Sequence, residues 1–115
     1  MATHKLENYL RTYRRRAGFS QDEIAYLLAA RSGTKTSRYE RFRRTPSLET
    51  ALAYEALFGV PVRELFAGVS ARAERRTRQR ARLLEKRLKT SGRRSDQLLR
   101  LLGEVAPGED SKLAA

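Results

Sequence analysis

Residues 32–44 read SGTKTSRYERFRR, a run in which lysine and arginine are interspersed with hydroxyl side chains and two aromatics. Ammonium and guanidinium groups donate hydrogen bonds to anionic oxygens and to the acceptor edges of bases, arginine through a planar fork. Two readings compete: a solvated charged turn, the commoner fate of a charge cluster, or a helix laid against a polyanion. Helical spacing separates the parts. With Ser32 as N-cap and Gly33, Thr34 and Lys35 in the first turn, Thr36 and Tyr39 share a thin inward edge. Thr34, Lys35, Ser37, Arg38 and Arg41 then form a long basic outward face. Such a helix is badly made for a core and well made for contact with a polyanion.

The whole chain favours such a partner. Its 115 residues carry 25 Lys+Arg against 13 Asp+Glu, a net charge of +12 and a pI near 11.0. A field of that sign attracts nucleic acid first and anionic membrane second. Cysteine is absent, which excludes disulfides and thiolate metal sites, and the lone His4 sits at an N-terminus expected to fray. There is no cysteine nucleophile, usable histidine or phosphate-cradling glycine loop, so no catalytic residues, metal site or cofactor are expected. No apolar run approaches a membrane span of ~20 residues, and MATHKLENYL lacks the apolar stretch of a signal peptide. A cytoplasmic protein is the expectation.

The elements that must position the basic run come with their own punctuation. Leu6, Leu10, Tyr13 and Ala17 recur at helical spacing, and Gly18 stops that helix. Ser20 and Glu23 form a capping box, with Phe19 and Ile24 spaced as a hydrophobic staple. Ile24, Leu27 and Leu28 give the following helix, from Gln21 to about Ala30, its apolar face. Ser47 caps LETALAYEALF, whose Leu48, Ala51, Leu52, Leu57 and Phe58 are expected inward, and Gly59 ends it. Pro61 suits the first position of a short helix closed by Gly68. No stretch of the first 68 residues alternates with period 2, so they read as five short helices.

In that order, LRTYRRRAGFSQDEIAYLLA, SRYERFRRTPSLETALAYEALFGVPVRELF and their spacing resemble the helix-turn-helix domain of phage-repressor-like (Cro or XRE type) transcription factors. The resemblance covers residues 6–68. It rests on Ser-Gln at the second helix start, Arg-Tyr-Glu-Arg late in the third, Pro-Ser-Leu-Glu-Thr opening the fourth and Gly-Val-Pro-Val before the fifth. It implies an all-α, lambda-repressor-like fold and a sequence-specific regulator, a repressor, of double-stranded DNA acting as a homodimer on two half-sites. The third helix would enter the major groove by its N-terminal part, with Thr34, Lys35, Ser37 and Arg38 reading bases. Gln21, Arg41, Arg43 and Arg44 would hold the DNA backbone. Arg14 and Glu40 match a structural ion pair between the first and third helices, and Ala25 and Tyr39 match core positions. Gly33 serves either the turn or a close backbone approach. The chain is one residue longer than the usual motif between Ser-Gln and Tyr-Glu, which leaves the first turn's register open by one. The turn glycine is replaced by Ala29 or Ala30, and Thr36 stands where Ile or Val is usual.

Beyond Gly68 aromatics vanish while the positive charge persists. Residues 69–92 form a basic amphipathic helix, with Val69, Ala73, Thr77, Ala81, Leu84 and Leu88 in one arc. It either docks on the domain or adds a grip on DNA backbone or RNA; membrane binding fits it least, for want of dense Leu, Phe or Trp. After the Ser91-Gly92 break, Ser95 caps a short leucine-rich helix within 93–105, ending at Gly103, and 106–115 is expected to be a disordered tail. The leucines of 95–103 have three uses: packing on the basic helix as a hairpin, a second subunit, or a protein partner. Two alternatives to a regulator follow: an antitoxin that binds its own promoter and a partner protein, and an RNA-binding protein using the basic helix.

Overall fold

The computed structural model describes residues 5–91 and 96–107. His4, Gly92, the Ser95 cap and residues 108–115 of the tail lie outside the described residues. The fold is all-α: α1 (Leu10–Ala17), α2 (Gln21–Leu27), α3 (Gly33–Glu40), α4 (Leu48–Phe58), α5 (Val62–Leu65), α6 (Ala67–Ser91) and α7 (Asp96–Val105). The described residues divide into two compact units, the first ending at Ser70 and the second beginning at Ala71.

In the first unit, short polar side chains start the helices. The Glu23 amide donates to Ser20 Oγ at 3.0 Å and the Ser20 amide to Glu23 Oε1 at 2.8 Å, completing the capping box. That backbone hydrogen bond holds the Glu23 carboxyl below its ordinary pKa. Ser32 accepts from the Thr34 amide and Ser47 from the Thr50 amide. Three helices end in one way, with paired backbone bonds around a left-handed residue. Phe19 N donates to Arg14 O around Gly18, Ala30 N to Ala25 O around Ala29, and Arg43 N to Arg38 O around Phe42. Glycine holds the first of these positions; alanine and phenylalanine hold the others against their preference.

Leu10, Ile24, Tyr39, Ala51, Tyr54, Leu65 and Phe66 form the core, with Tyr13, Phe19, Leu28, Leu57 and Phe58 packed around it. Each large side chain buried there stabilises the fold by roughly 1.5–3 kcal/mol. Tyr54 is central: its ring stacks at 6.0 Å on Phe58 and meets Phe66 edge-on at 6.4 Å. Its hydroxyl is buried beside Thr36 and makes no hydrogen bond of ordinary geometry in the described structure. Burial, only partly offset by Thr36, pushes the phenol well above its ordinary pKa.

Several expectations are corrected. Leu48 and Leu52 are exposed, because Tyr54 turns α4 so that Ala51, Tyr54 and Phe58 share its inward stripe. Leu27 is also exposed, and α2 stops at Leu27 because Ala29 takes a left-handed φ of 58°. The first helix begins at Leu10 and leaves Leu6 half in solvent. Pro61 caps α5 instead of opening it. Gly68 does not close a helix; it lies in the first turn of α6, where its amide donates to Leu6 O at 2.9 Å. A Cβ there would stand 2.7 Å from Glu7 Cα, so the glycine serves a close backbone approach.

In the second unit, Ala81 and Leu88 of α6 are buried with Leu102 of α7 and with Ala106, flanked by Leu98, Leu99 and Val105. The leucine-rich helix therefore packs on the basic one. The apolar arc is shorter than its spacing suggests: Ala73, Thr77 and Leu84 are exposed. Gly103 lies inside α7, and Ala106, read as the start of the tail, is buried. On the surface of α6, Glu74–Arg78 and Glu85–Lys89 are i,i+4 ion pairs, each worth a few tenths of a kcal/mol.

Candidate nucleic-acid interface

The α2–α3 pair is assembled around one carboxylate. Glu40, at the end of α3, receives Arg14 Nε at 2.6 Å and Nη2 at 3.0 Å, a fork-on-fork pair. Gln21 Nε2 donates to the same carboxylate at 3.2 Å, and Arg14 Nη1 reaches Phe19 O at 2.9 Å. The pair is largely dry, with side-chain exposures of 12% for Arg14 and 3% for Glu40. Hydrogen bonding to Glu40 raises the Arg14 pKa further against the cost of burial, so its charge is permanent. One node thus ties the end of α1, the α1–α2 turn, the start of α2 and the end of α3.

Two more anchors hold α3. The Gly33 amide donates to Asp22 Oδ1 at 2.9 Å. A Cβ on Gly33 would lie 2.7 Å from that oxygen and 3.2 Å from the Asp22 nitrogen. Of the two roles open to Gly33, close approach is the one observed, but toward α2. Asn8 is the third anchor and was invisible from spacing. Buried, it donates from Nδ2 to Tyr39 O at 2.8 Å and accepts the Leu10 amide at 3.1 Å. Its position two residues ahead of α1 was the only available signal.

So held, α3 buries Gly33, Thr36, Tyr39 and Glu40. Its other side lines a groove of about 770 Å³ with Thr34, Ser37, Arg38 and Arg41, joined by Gln21, Asp22 and Arg43. Thr34, Ser37, Arg38 and Arg41 follow the i, i+3, i+4, i+7 stripe of a helix face. Asp22, the acidic residue of this lining, already accepts from Gly33. Arg14 also borders the groove, although its guanidinium is committed to Glu40. Lys35 and Arg44 are exposed but lie outside the groove lining. Ser32 caps α3 and its hydroxyl donates to Thr34 Oγ1 at 3.1 Å, so Gly33 is the first residue of the helix.

Two helices joined by a tight turn, the second presenting a basic polar stripe, define a helix-turn-helix DNA-binding protein. The chain matches the family described as helix-turn-helix domain over residues 8–67, and it belongs to that family. No curated protein and no solved structure matches it. Among the described residues, no helix is long and apolar enough to cross a membrane.

Proposed function

We propose that this protein is a sequence-specific transcriptional regulator of double-stranded DNA, a repressor of the phage-repressor-like type, acting in the cytoplasm as a homodimer and without enzymatic activity. One observation carries the reading: Thr34, Ser37, Arg38 and Arg41 converge on the groove that Gln21 and Arg43 also line. Arg38 donates to guanine O6 and N7, while Thr34 and Ser37 read neighbouring bases. Lys35, beside the stripe, reaches a base at the groove edge. Arg41, Arg43 and Arg44 take the phosphates, which positions the helix without reading sequence. Gln21 keeps its amide on Glu40 and takes part through the start of α2.

Selection of bound duplexes from random DNA tests this. Enrichment of a palindrome supports reading and dimer together; no enrichment of any sequence overturns the proposal. The exposed basic side chains of α6, among them Arg75, Arg76, Arg80 and Arg82, favour a second reading as an RNA grip. Competition between duplex DNA and RNA, with and without residues 69–115, separates the two. The antitoxin reading would rest on Leu101, which is exposed, since Leu98, Leu99 and Leu102 are packed within their own unit.

A further inference from the structure

Phe42 is out of place by every local rule. It closes α3 with a left-handed φ of 64°, a conformation that bulky side chains rarely adopt and that glycine takes freely. Its ring is not drawn into the domain core; 48% of the residue is exposed. Helix closure alone would be better served by glycine.

The surroundings of the ring combine apolar side chains with three guanidinium groups. Phe42 lines a concavity of about 520 Å³ with Leu6, Tyr9, Arg11, Thr12, Arg41 and Arg43. The carboxylate there, Glu40, is neutralised by Arg14. Arg41 and Arg43 also line the recognition groove, so the two hollows share a border of guanidinium groups. A strand whose phosphates sat on that border would bring its sugars near Phe42, which lies between the two arginines in sequence.

The geometry points to Phe42 as a positioning residue that packs its ring on a deoxyribose of the strand held by Arg41 and Arg43. This rests on the DNA-binding reading and adds an apolar, sequence-independent contact to it. Such a contact raises affinity for every duplex alike and leaves base preference unchanged.

The test sets stability against affinity in Phe42→Gly, Phe42→Ala and Phe42→Tyr, with Arg43→Ala for comparison. Phe42→Gly is expected to raise the melting temperature, yet to weaken binding to specific and non-specific duplexes by roughly tenfold. Phe42→Ala should lose the same affinity without the gain in stability, and Phe42→Tyr should keep it. If Phe42→Gly is more stable and binds as tightly as the parent while Arg43→Ala binds weakly, the contact is refuted and the DNA-binding reading stands. If the parent itself binds no duplex, both fall together.

Discussion

Asp22 and Gly33, eleven residues apart, meet where the carboxylate of α2 accepts the first amide of α3 at 2.9 Å. The contact ties the start of α3 to the first turn of α2. Gly33→Ala forces a methyl against Asp22 Oδ1 and against backbone, and is expected to cost about 1–3 kcal/mol in denaturant unfolding. Asp22→Ala in the same chain should recover part of that loss, because the shortest of the clashes disappears. Additive losses in the double-mutant cycle would show the contact to be incidental.

Ala29→Gly is expected to stabilise the protein. Ala29 holds a left-handed φ of 58° in the turn between α2 and α3. Such a conformation costs a residue with a Cβ roughly 1–2 kcal/mol, only part of which the extra freedom of an unfolded glycine returns. A gain of about 0.5–1 kcal/mol in urea unfolding is predicted. A loss would mean that the alanine methyl makes a contact worth more than the strain.

Arg14→Ala leaves the Glu40 carboxylate buried with only Gln21 to answer it. A loss of about 3–5 kcal/mol is expected, enough to unfold much of a marginal domain. Arg14→Met with Glu40→Met should recover most of it, since two apolar side chains carry no desolvation penalty. Circular dichroism melts of the three chains decide the point.

Tyr54 sets an alkaline limit. Its phenol is raised by burial, so the native state keeps the proton while the unfolded chain releases it near pH 10. The sign follows: its contribution is intact below pH 10 and stability falls as pH rises beyond that. Tyr54→Phe removes both the titration and a buried hydroxyl that Thr36 answers only poorly. It should raise stability at pH 7 by about 1 kcal/mol and lose less between pH 9 and 11 than the parent. Parallel melting curves would count against this account.

On DNA, Lys35→Ala and Arg38→Ala should each relax preference at one base position by roughly 1–3 kcal/mol. Arg43→Ala and Arg44→Ala should instead weaken all duplexes evenly and reduce the salt slope by ~0.9 per lost phosphate contact. Arg38, inside the groove, is expected to show the larger change in specificity of the first pair. Uniform losses from all four would mean that the reading face is misassigned.

What was legible in the sequence was whatever acts over three or four residues. Ser20, Ser32 and Ser47 announced their helices, and Thr36 and Tyr39 their inward edge, because caps and helix faces are local. Asn8 was not legible, since one of its partners lies thirty-one residues away on Tyr39. Gly33 and Gly68 looked like turn and stop signals, yet each makes room for a backbone brought close by the fold. Ala29 and Phe42 gave no sign of their left-handed geometry, because helix-terminating bonds imposed it against their preference. Leu48 and Leu52 misled because the inward position of α4 went to the aromatic ring of Tyr54.

The anchoring of α3 at three points has a thermodynamic corollary. Asn8 on Tyr39 and Arg14 with Gln21 on Glu40 lock the helix at its last turn, and Asp22 on Gly33 locks it at its first. Its conformational entropy is therefore lost during folding and not on meeting a ligand. Its amides should exchange with solvent hydrogen only through opening of the whole first unit. A ligand that docks on so stiff an element selects by fit and charge, and leaves the protein backbone nearly as it found it.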